Sequence, residues 1–126
     1  MSMKDIDAAT FTALKSGVKA EYSDALVTGE YVQTVKSFPC VSFLEISNEP
    51  FMRSLDLGLN ENLTRAEYQI EIYTRGNGKK KQARTIFALV DEIMSGRGFI
   101  RTFAQTVPNF ADETGWRLIT RYRKTI

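Results

Sequence analysis

The sequence has no histidine and one cysteine, Cys40, among its 126 residues. Histidine is the commonest general base and the commonest transition-metal ligand, so its absence excludes Ser-His-Asp and Cys-His catalysis and nearly excludes a zinc site. One cysteine cannot form an internal disulfide, which favours a protein made and kept in a reducing cytoplasm. Paired-carboxylate catalysis stays open, but Glu45, Glu49, Asp56, Glu61 and Asp112 form no recognisable acid pair or metal loop. We expect a protein that is not an enzyme, with no catalytic, cofactor-binding or metal-binding residues.

The sequence also has no apolar run of about 18 residues, so we expect no membrane span. Its first seven residues lack the apolar core of a signal peptide and are too acidic for a transit peptide. The 17 basic and 15 acidic side chains leave a net charge of +2, far from the strong basic excess of a general nucleic-acid binder. The length and the ordinary composition predict one domain, residues 1–126.

The hydrophobic period changes once, sharply, between Thr64 and Met94. Before the turn at 75–78, apolar and polar residues alternate, which predicts a half-buried strand. After the turn, apolar residues recur at helical spacing, which predicts an amphipathic helix packed on that strand. The strand face comprises Ala66, Tyr68, Ile70 and Ile72, with Glu67, Gln69 and Glu71 opposite; the helix face comprises Ala83, Ile86, Phe87, Val90, Ile93 and Met94.

The remaining segments complete an α+β order. We expect a largely antiparallel sheet of about four to five strands packed against two main helices. The first helix is predicted over Lys4–Val18, with Ile6, Ala9 and Ala13 on its buried face and Gly17 near its end. The other predictions are a polar connection at 21–30, a short strand or extended arm at 31–35, an interior strand at 40–46, a strand at 99–107, a turn at 108–113 and a last strand at 114–123.

Residues 47–63 are weakly patterned and read as a loop. They nevertheless contain five large apolar side chains that a solvated loop does not need: Phe51, Met52, Leu55, Leu57 and Leu59. We interpret this segment as one that packs on a neighbour, and these residues as candidates for a subunit interface.

The predicted central helix carries its charges in the unfavourable order. Lys79, Lys80 and Lys81 lie at its positive end, and Asp91 and Glu92 lie near its negative end. The preceding Gly76-Asn77-Gly78 turn does not match a nucleotide-binding P-loop, because the required glycine and Ser/Thr positions are absent. Two interpretations remain: exposed charges screened by salt, or a head-to-tail contact in which the basic end of one subunit meets the acidic end of the next.

Basic and aromatic side chains of the last strands have alternative interpretations. The stripe of Arg117, Arg121 and Arg123, with Lys124, either meets phosphate, keeps an exposed sheet face soluble, or pairs with Glu67 and Glu71 across the sheet. The aromatic residues either stack bases, as in a small RNA- or ligand-binding domain, or belong to the core. They are Tyr68, Tyr73, Phe99, Phe103 and Trp116. Cys40 follows a proline in an apolar strand and is interpreted as a buried small hydrophobic residue.

Three stretches resemble the small tail-completion proteins of tailed bacteriophages. Residues 38–48 (FPCVSFLEISN) resemble their first sheet strand, and YQIEIY at 68–73 with GKKKQA at 78–83 resembles their central strand and helix start. GFIR at 98–101, Pro108-Asn109 and WRLITRY at 116–122 resemble their C-terminal hairpin. The resemblance spans roughly residues 31–126 and lies in patterns rather than in a catalytic signature.

The resemblance implies a tail terminator or tail-to-head joining protein. Such a protein forms a hexameric ring on the last ring of the tail tube, ends tube growth and presents a surface to the head connector in the neck, with DNA passing through the lumen. The expected partners are other copies of the chain, the tail tube protein and the connector, and the expected location is the virion, after assembly in the bacterial cytoplasm. The alternatives are a head-side adaptor or minor capsid protein and, from another class, the small RNA- or ligand-binding domain.

Overall fold

The computed structural model describes residues 3–30, 37–50, 64–107 and 115–125 of the chain. The two helices and five strands of these ranges confirm the predicted α+β class and the number of strands. They are α1 (Met3–Glu21), β1 (Leu26–Thr28), β2 (Cys40–Pro50), β3 (Thr64–Arg75), α2 (Lys79–Gly96), β4 (Ile100–Val107) and β5 (Gly115–Thr125).

The five strands form one sheet in the order β1-β2-β3-β5-β4. β1 pairs with β2 in parallel, and the other three neighbouring pairs are antiparallel. β2 is therefore interior, as its apolar residues on both faces predict. Among the described strands, β1 and β4 form the two edges of the sheet.

Both helices pack against one face of the sheet, which we call the helix face. The alternation of β3 places Ala66, Tyr68, Ile70 and Ile72 on this face, and all four are fully buried. The register sets Ile72 beside Val41 of β2 and Leu118 of β5, so the core continues across three strands. Of the six residues predicted for the apolar face of α2, four are fully buried and two are partly buried. The buried ones are Ala83, Ile86, Val90 and Met94, and the partly buried ones are Phe87 and Ile93.

A row of aromatic rings crosses this core from α1 to the end of α2. The Phe43 ring of β2 lies 6.2 Å from Phe11 of α1 and 4.8 Å from Tyr68 of β3, measured between ring centroids. The Tyr68 ring in turn meets the edge of Phe99 at 5.6 Å. Such pairs add about 0.5–1.5 kcal/mol each beyond the burial of their area, so this row links the helical layer to the sheet.

The first helix continues three residues beyond its predicted end, to Glu21. Gly17 lies inside it, where an added side chain would clash with Ile93 of α2. This glycine therefore permits close approach of the two helices instead of ending α1. Ala9 is exposed, and Thr10 takes its predicted place in the core, where its hydroxyl accepts a hydrogen bond from Arg97 Nε at 3.3 Å.

Two strand segments differ from the predictions. β1 lies within the stretch predicted as a polar connection, and Ser47–Pro50, predicted as loop, continues β2. Both segments gain a hydrogen-bonded neighbour, β2 for the first and β3 for the second, and such pairing outweighs weak local propensity. The predicted arm at 31–35, the rest of the 47–63 segment and the turn at 108–113 lie outside the described residues.

Candidate functional site

The lysine cluster lies at the start of α2, as predicted. Gly78 precedes the helix in the left-handed conformation, with φ of 75°, so Lys79, Lys80 and Lys81 form the first turn. This turn contains no acidic residue. The Lys80 ammonium lies 4.9 Å from the centroid of the Trp116 ring on β5, which supplies a cation–π contact within the chain.

Asp91 is held within its own chain. The Tyr122 hydroxyl of β5 donates a hydrogen bond to Asp91 Oδ1 at 3.0 Å, and Arg101 Nη1 of β4 lies 3.4 Å from the same oxygen. Burial and the neighbouring carboxylate raise the pKa of Tyr122 above its ordinary value. The predicted head-to-tail contact used two acidic residues. Asp91 has these partners within its own chain, and Glu92 is exposed to solvent.

A positively charged side chain also lies at the negative, C-terminal end of α2. Lys124 Nζ of β5 donates a hydrogen bond to the carbonyl oxygen of Arg97, the residue that caps the helix, at 2.6 Å. A cation at this end of a helix is favourable because it complements the free carbonyl groups. Lys124 therefore lies on the helix face and contacts the end of α2, whereas the sequence pattern grouped it with the arginine stripe.

A groove of about 970 Å³ separates the first half of α2 from β4 and β5, and we call it the α2–β4 groove. Lys80, Lys81 and Arg84 line its α2 side. Ala88 of α2 and Ala104 of β4 also line it, and their small side chains leave space between helix and strand. No acidic side chain is among the described residues that line it. Its apolar lining includes Phe87, Trp116 and Leu118.

The opposite face of the sheet, which we call the far face, contains a buried ion pair. Glu71 of β3 is 1% exposed and accepts a hydrogen bond from Arg117 Nη2 of β5, whose side chain is 30% exposed. Burial alone would lower the pKa of the Arg117 guanidinium, but the hydrogen bond and the charge of Glu71 outweigh burial and raise it. Of the three interpretations of the arginine stripe, pairing across the sheet is confirmed for Arg117 and Glu71.

The far face becomes apolar toward the β4 edge. Arg121 Nε donates a hydrogen bond to Gln69 Oε1 at 3.0 Å, and its guanidinium lies 5.0 Å from the Phe103 ring centroid. Phe103 is 37% exposed and Ile100 is 61% exposed, both on β4. Large apolar side chains exposed side by side are typical of a surface that contacts another molecule.

Cys40 lies on the far face, opposite Tyr73 of β3, and is fully buried. Burial, with a smaller effect from the charge of Glu71, raises the pKa of the Cys40 thiol to about 11. Burial and Glu71 likewise raise the pKa of the Tyr73 hydroxyl to about 12. Both groups are therefore neutral at physiological pH, and the interpretation of Cys40 as a buried hydrophobic residue is confirmed.

We expect the Cys40 thiol to react with an alkylating reagent at pH 8 at least about a hundredfold more slowly in the folded than in the urea-unfolded protein. A pKa raised from 9.0 to about 11 reduces the thiolate by that factor, and burial reduces access further. Mass spectrometry measures the rate without ambiguity, because the chain has no other cysteine. Equal rates in the two states would contradict the burial of this side chain.

The five aromatic residues that a base-stacking surface would use do not form one. Tyr68 and Phe99 belong to the core beneath the helices, and Tyr73 is buried on the far face. Trp116 lies under Lys80, and Phe103 is on the other face of the sheet. The interpretation of these residues as mainly core is therefore confirmed for three of the five.

The other predicted interface residues, Phe51, Met52, Leu55, Leu57 and Leu59, lie outside the described part of the chain. Among the described residues, no three acidic or cysteine side chains are placed to hold a metal ion together. Neither α1 nor α2, the helices that the structure describes, is long and apolar enough to cross a membrane.

The sequence matches no protein-family model, and it has no significant match among curated proteins.

Proposed function

We propose that this protein is a structural component of a tailed bacteriophage: it forms a ring at the head-proximal end of the tail tube, ends tube growth and joins the tail to the head connector. The observation that carries the proposal is where the three resembling stretches lie. Apart from Pro108-Asn109, which lies outside the described residues, they fall in or beside β2, β3, the start of α2, β4 and β5, and these four strands are neighbours in one sheet. Short matches in elements that neighbour one another in one sheet support a common architecture more strongly than matches in elements that do not contact each other.

A closed ring requires two different surfaces on each copy that fit each other. α2 has 18 residues and is therefore about 27 Å long, with lysines at its first turn and Glu92 near its other end. In our proposal the lysine end of one copy meets Glu92 of the next. Six copies enclose a lumen through which DNA passes without sequence-specific contacts, and the two rims of the ring meet the tail tube protein and the connector.

The test measures the mass of the purified protein by light scattering, alone and with tail tubes assembled in its absence. We expect either a six-subunit ring in solution or a monomer that becomes a ring on the tubes. Electron microscopy of tubes grown with the protein should show one uniform length, against a broad distribution without it. A protein that stays monomeric, leaves tube length unchanged and binds RNA would overturn the proposal.

A pair of matched variants locates the contact in the same measurement. Glu92→Lys should weaken subunit association by about tenfold, because it places a positive charge opposite the lysines of the neighbouring subunit. Glu21→Lys makes the same change of charge at an exposed position at the end of α1 and should leave association unchanged. If both variants assemble like the original protein, the head-to-tail contact through α2 is wrong.

A further inference from the structure

We propose that the α2–β4 groove binds an extended acidic segment of another protein, which adds a strand to the free edge of β4 and places an apolar side chain on the groove floor. This inference rests on the geometry of the groove and does not depend on the proposed phage role.

β4 provides the backbone for such an addition. It pairs with β5 on one side only, and no strand lies on its other side in the part of the chain that the structure describes. Residues 100–106 of β4 are all exposed. An exposed edge strand offers unpaired N–H and C=O groups, which a second extended chain matches at the usual strand spacing of about 4.8 Å.

The groove provides a site for side chains beside this edge. The small side chains of Ala88 and Ala104 leave open space between the helix and the strand, and Trp116 and Leu118 supply apolar surface below it. Alternate side chains of an added strand point toward the helix face. One large apolar side chain of the added strand would therefore be buried on this floor.

The charges of the groove specify an acidic segment. Lys81 and Arg84 are exposed, and neither forms an ion pair with a described residue. Lys80 adds a third positive charge over the Trp116 ring. The positive end of the α2 dipole has the same sign, so carboxylates facing the helix are attracted and cations are repelled.

Nucleic acid would also be attracted by these charges, but the rest of the groove favours a peptide. A free strand edge matches the repeat of a polypeptide backbone, and a sugar–phosphate backbone has no such pattern of donors and acceptors. The two aromatic rings that line the described part of the groove are both half-buried, and each already has a cation of the same chain over it: Lys80 over Trp116 and Arg101 over Phe87. We therefore assign the groove to a peptide.

The test uses a fluorescent eight-residue peptide whose odd positions carry glutamate, phenylalanine, glutamate and glutamate and whose even positions carry valine or threonine. Binding is measured by fluorescence anisotropy. Hydrogen exchange measured by NMR follows the β4 amides. We expect saturable binding and increased protection of amides within Ile100–Val107. The double variant Lys81→Glu, Arg84→Glu should bind the peptide at least about tenfold more weakly, and it should prefer a peptide with lysine in place of glutamate.

The double variant Lys15→Glu, Lys19→Glu changes the charge equally on exposed positions of α1 and should bind like the original protein. A peptide with proline at its even positions lacks the backbone N–H groups of those positions and cannot form a complete strand, so it should bind at least about tenfold more weakly. The proposal is overturned if binding does not saturate, if the lysine peptide binds equally well, or if the protection of the β4 amides does not change. It is also overturned if a single-stranded oligonucleotide displaces the fluorescent peptide at a lower concentration than the unlabelled peptide does. Because binding is scored by affinity and ring formation by mass, failure of one proposal does not count as failure of the other.

Discussion

We expect replacement of Arg117 by methionine to lower the free energy of unfolding by about 3 kcal/mol, because it leaves Glu71 buried without its counter-charge. Removing one partner of a buried ion pair typically costs about 3–5 kcal/mol. The lower end applies here because the Arg117 side chain is 30% exposed and its Nε has no hydrogen-bond partner among the described residues. Urea denaturation followed by circular dichroism measures the change.

Arg121→Met is the matched control, because Arg121 lies on the same strand and face but donates to the neutral Gln69. Its loss should cost no more than about 1 kcal/mol. A further double variant, Glu71→Leu with Arg117→Met, should recover most of the lost stability. Equal costs for the two single arginine variants would show that the ion pair does not have this role.

The second large effect is expected in the core. Tyr68→Ala should lower the free energy of unfolding by about 3–5 kcal/mol, the range found when a buried aromatic side chain is truncated. Tyr68 lies between Phe43 and Phe99, at ring-centroid distances of 4.8 and 5.6 Å, so its loss opens a cavity between the sheet and the helices. The midpoint and slope of urea denaturation report the loss and show whether unfolding stays cooperative.

Phe103→Ala removes another large ring from a neighbouring part of the same sheet and serves as the control. Phe103 is 37% exposed at the β4 edge, so its truncation should cost about 1 kcal/mol or less. It also keeps the helix face intact, which makes it suitable for measuring whether the apolar edge takes part in subunit contacts. If Tyr68→Ala and Phe103→Ala were equally destabilising, the aromatic row would not be the centre of the core.

The two pairs of variants test two separate contributions to stability, the buried ion pair of the far face and the aromatic row of the helix face. The helix face holds the aromatic row and the contacts of Tyr122 and Lys124 with α2, so changes there act on stability. The exposed part of the far face and the α2–β4 groove carry side chains that the fold itself does not require. The ring proposal places its contact at the two ends of α2, and the peptide proposal places binding in the groove and at the β4 edge.

The elements with a strong internal period were predictable. β3 alternates over nearly its whole length, α2 repeats its apolar residues every three or four positions, and β5 separates its arginines from Trp116, Leu118 and Tyr122. β1 and the end of β2 were missed because they are strands through their pairing with distant neighbours and not through their own composition. Gly17 was assigned to a helix end because only the packing of α1 against Ile93 shows its steric role.

The candidate surfaces divide in the same way. The lysines at the start of α2 and the arginines on one face of β5 were evident from the sequence, because their positions follow from the period of a single element. The partners of charged groups were less evident, since the pairing of Arg117 with Glu71 was one of three alternatives and the partners of Asp91 and Lys124 were not predicted. Asp91 accepts a hydrogen bond from Tyr122, 31 residues away in the sequence. The carbonyl oxygen of Arg97, at the end of α2, accepts one from Lys124, 27 residues further along the chain. The groove lies between Ala88 and Ala104, which belong to two different elements, so no pattern within one segment of the sequence predicts it.

The sequence by itself determined the class of fold, the main elements and which side of each faces the core, because these depend on periodicity along one segment. Only the tertiary structure decided which charges are satisfied, which edge stays free and where a groove opens, because these depend on the register and packing of segments far apart in the chain.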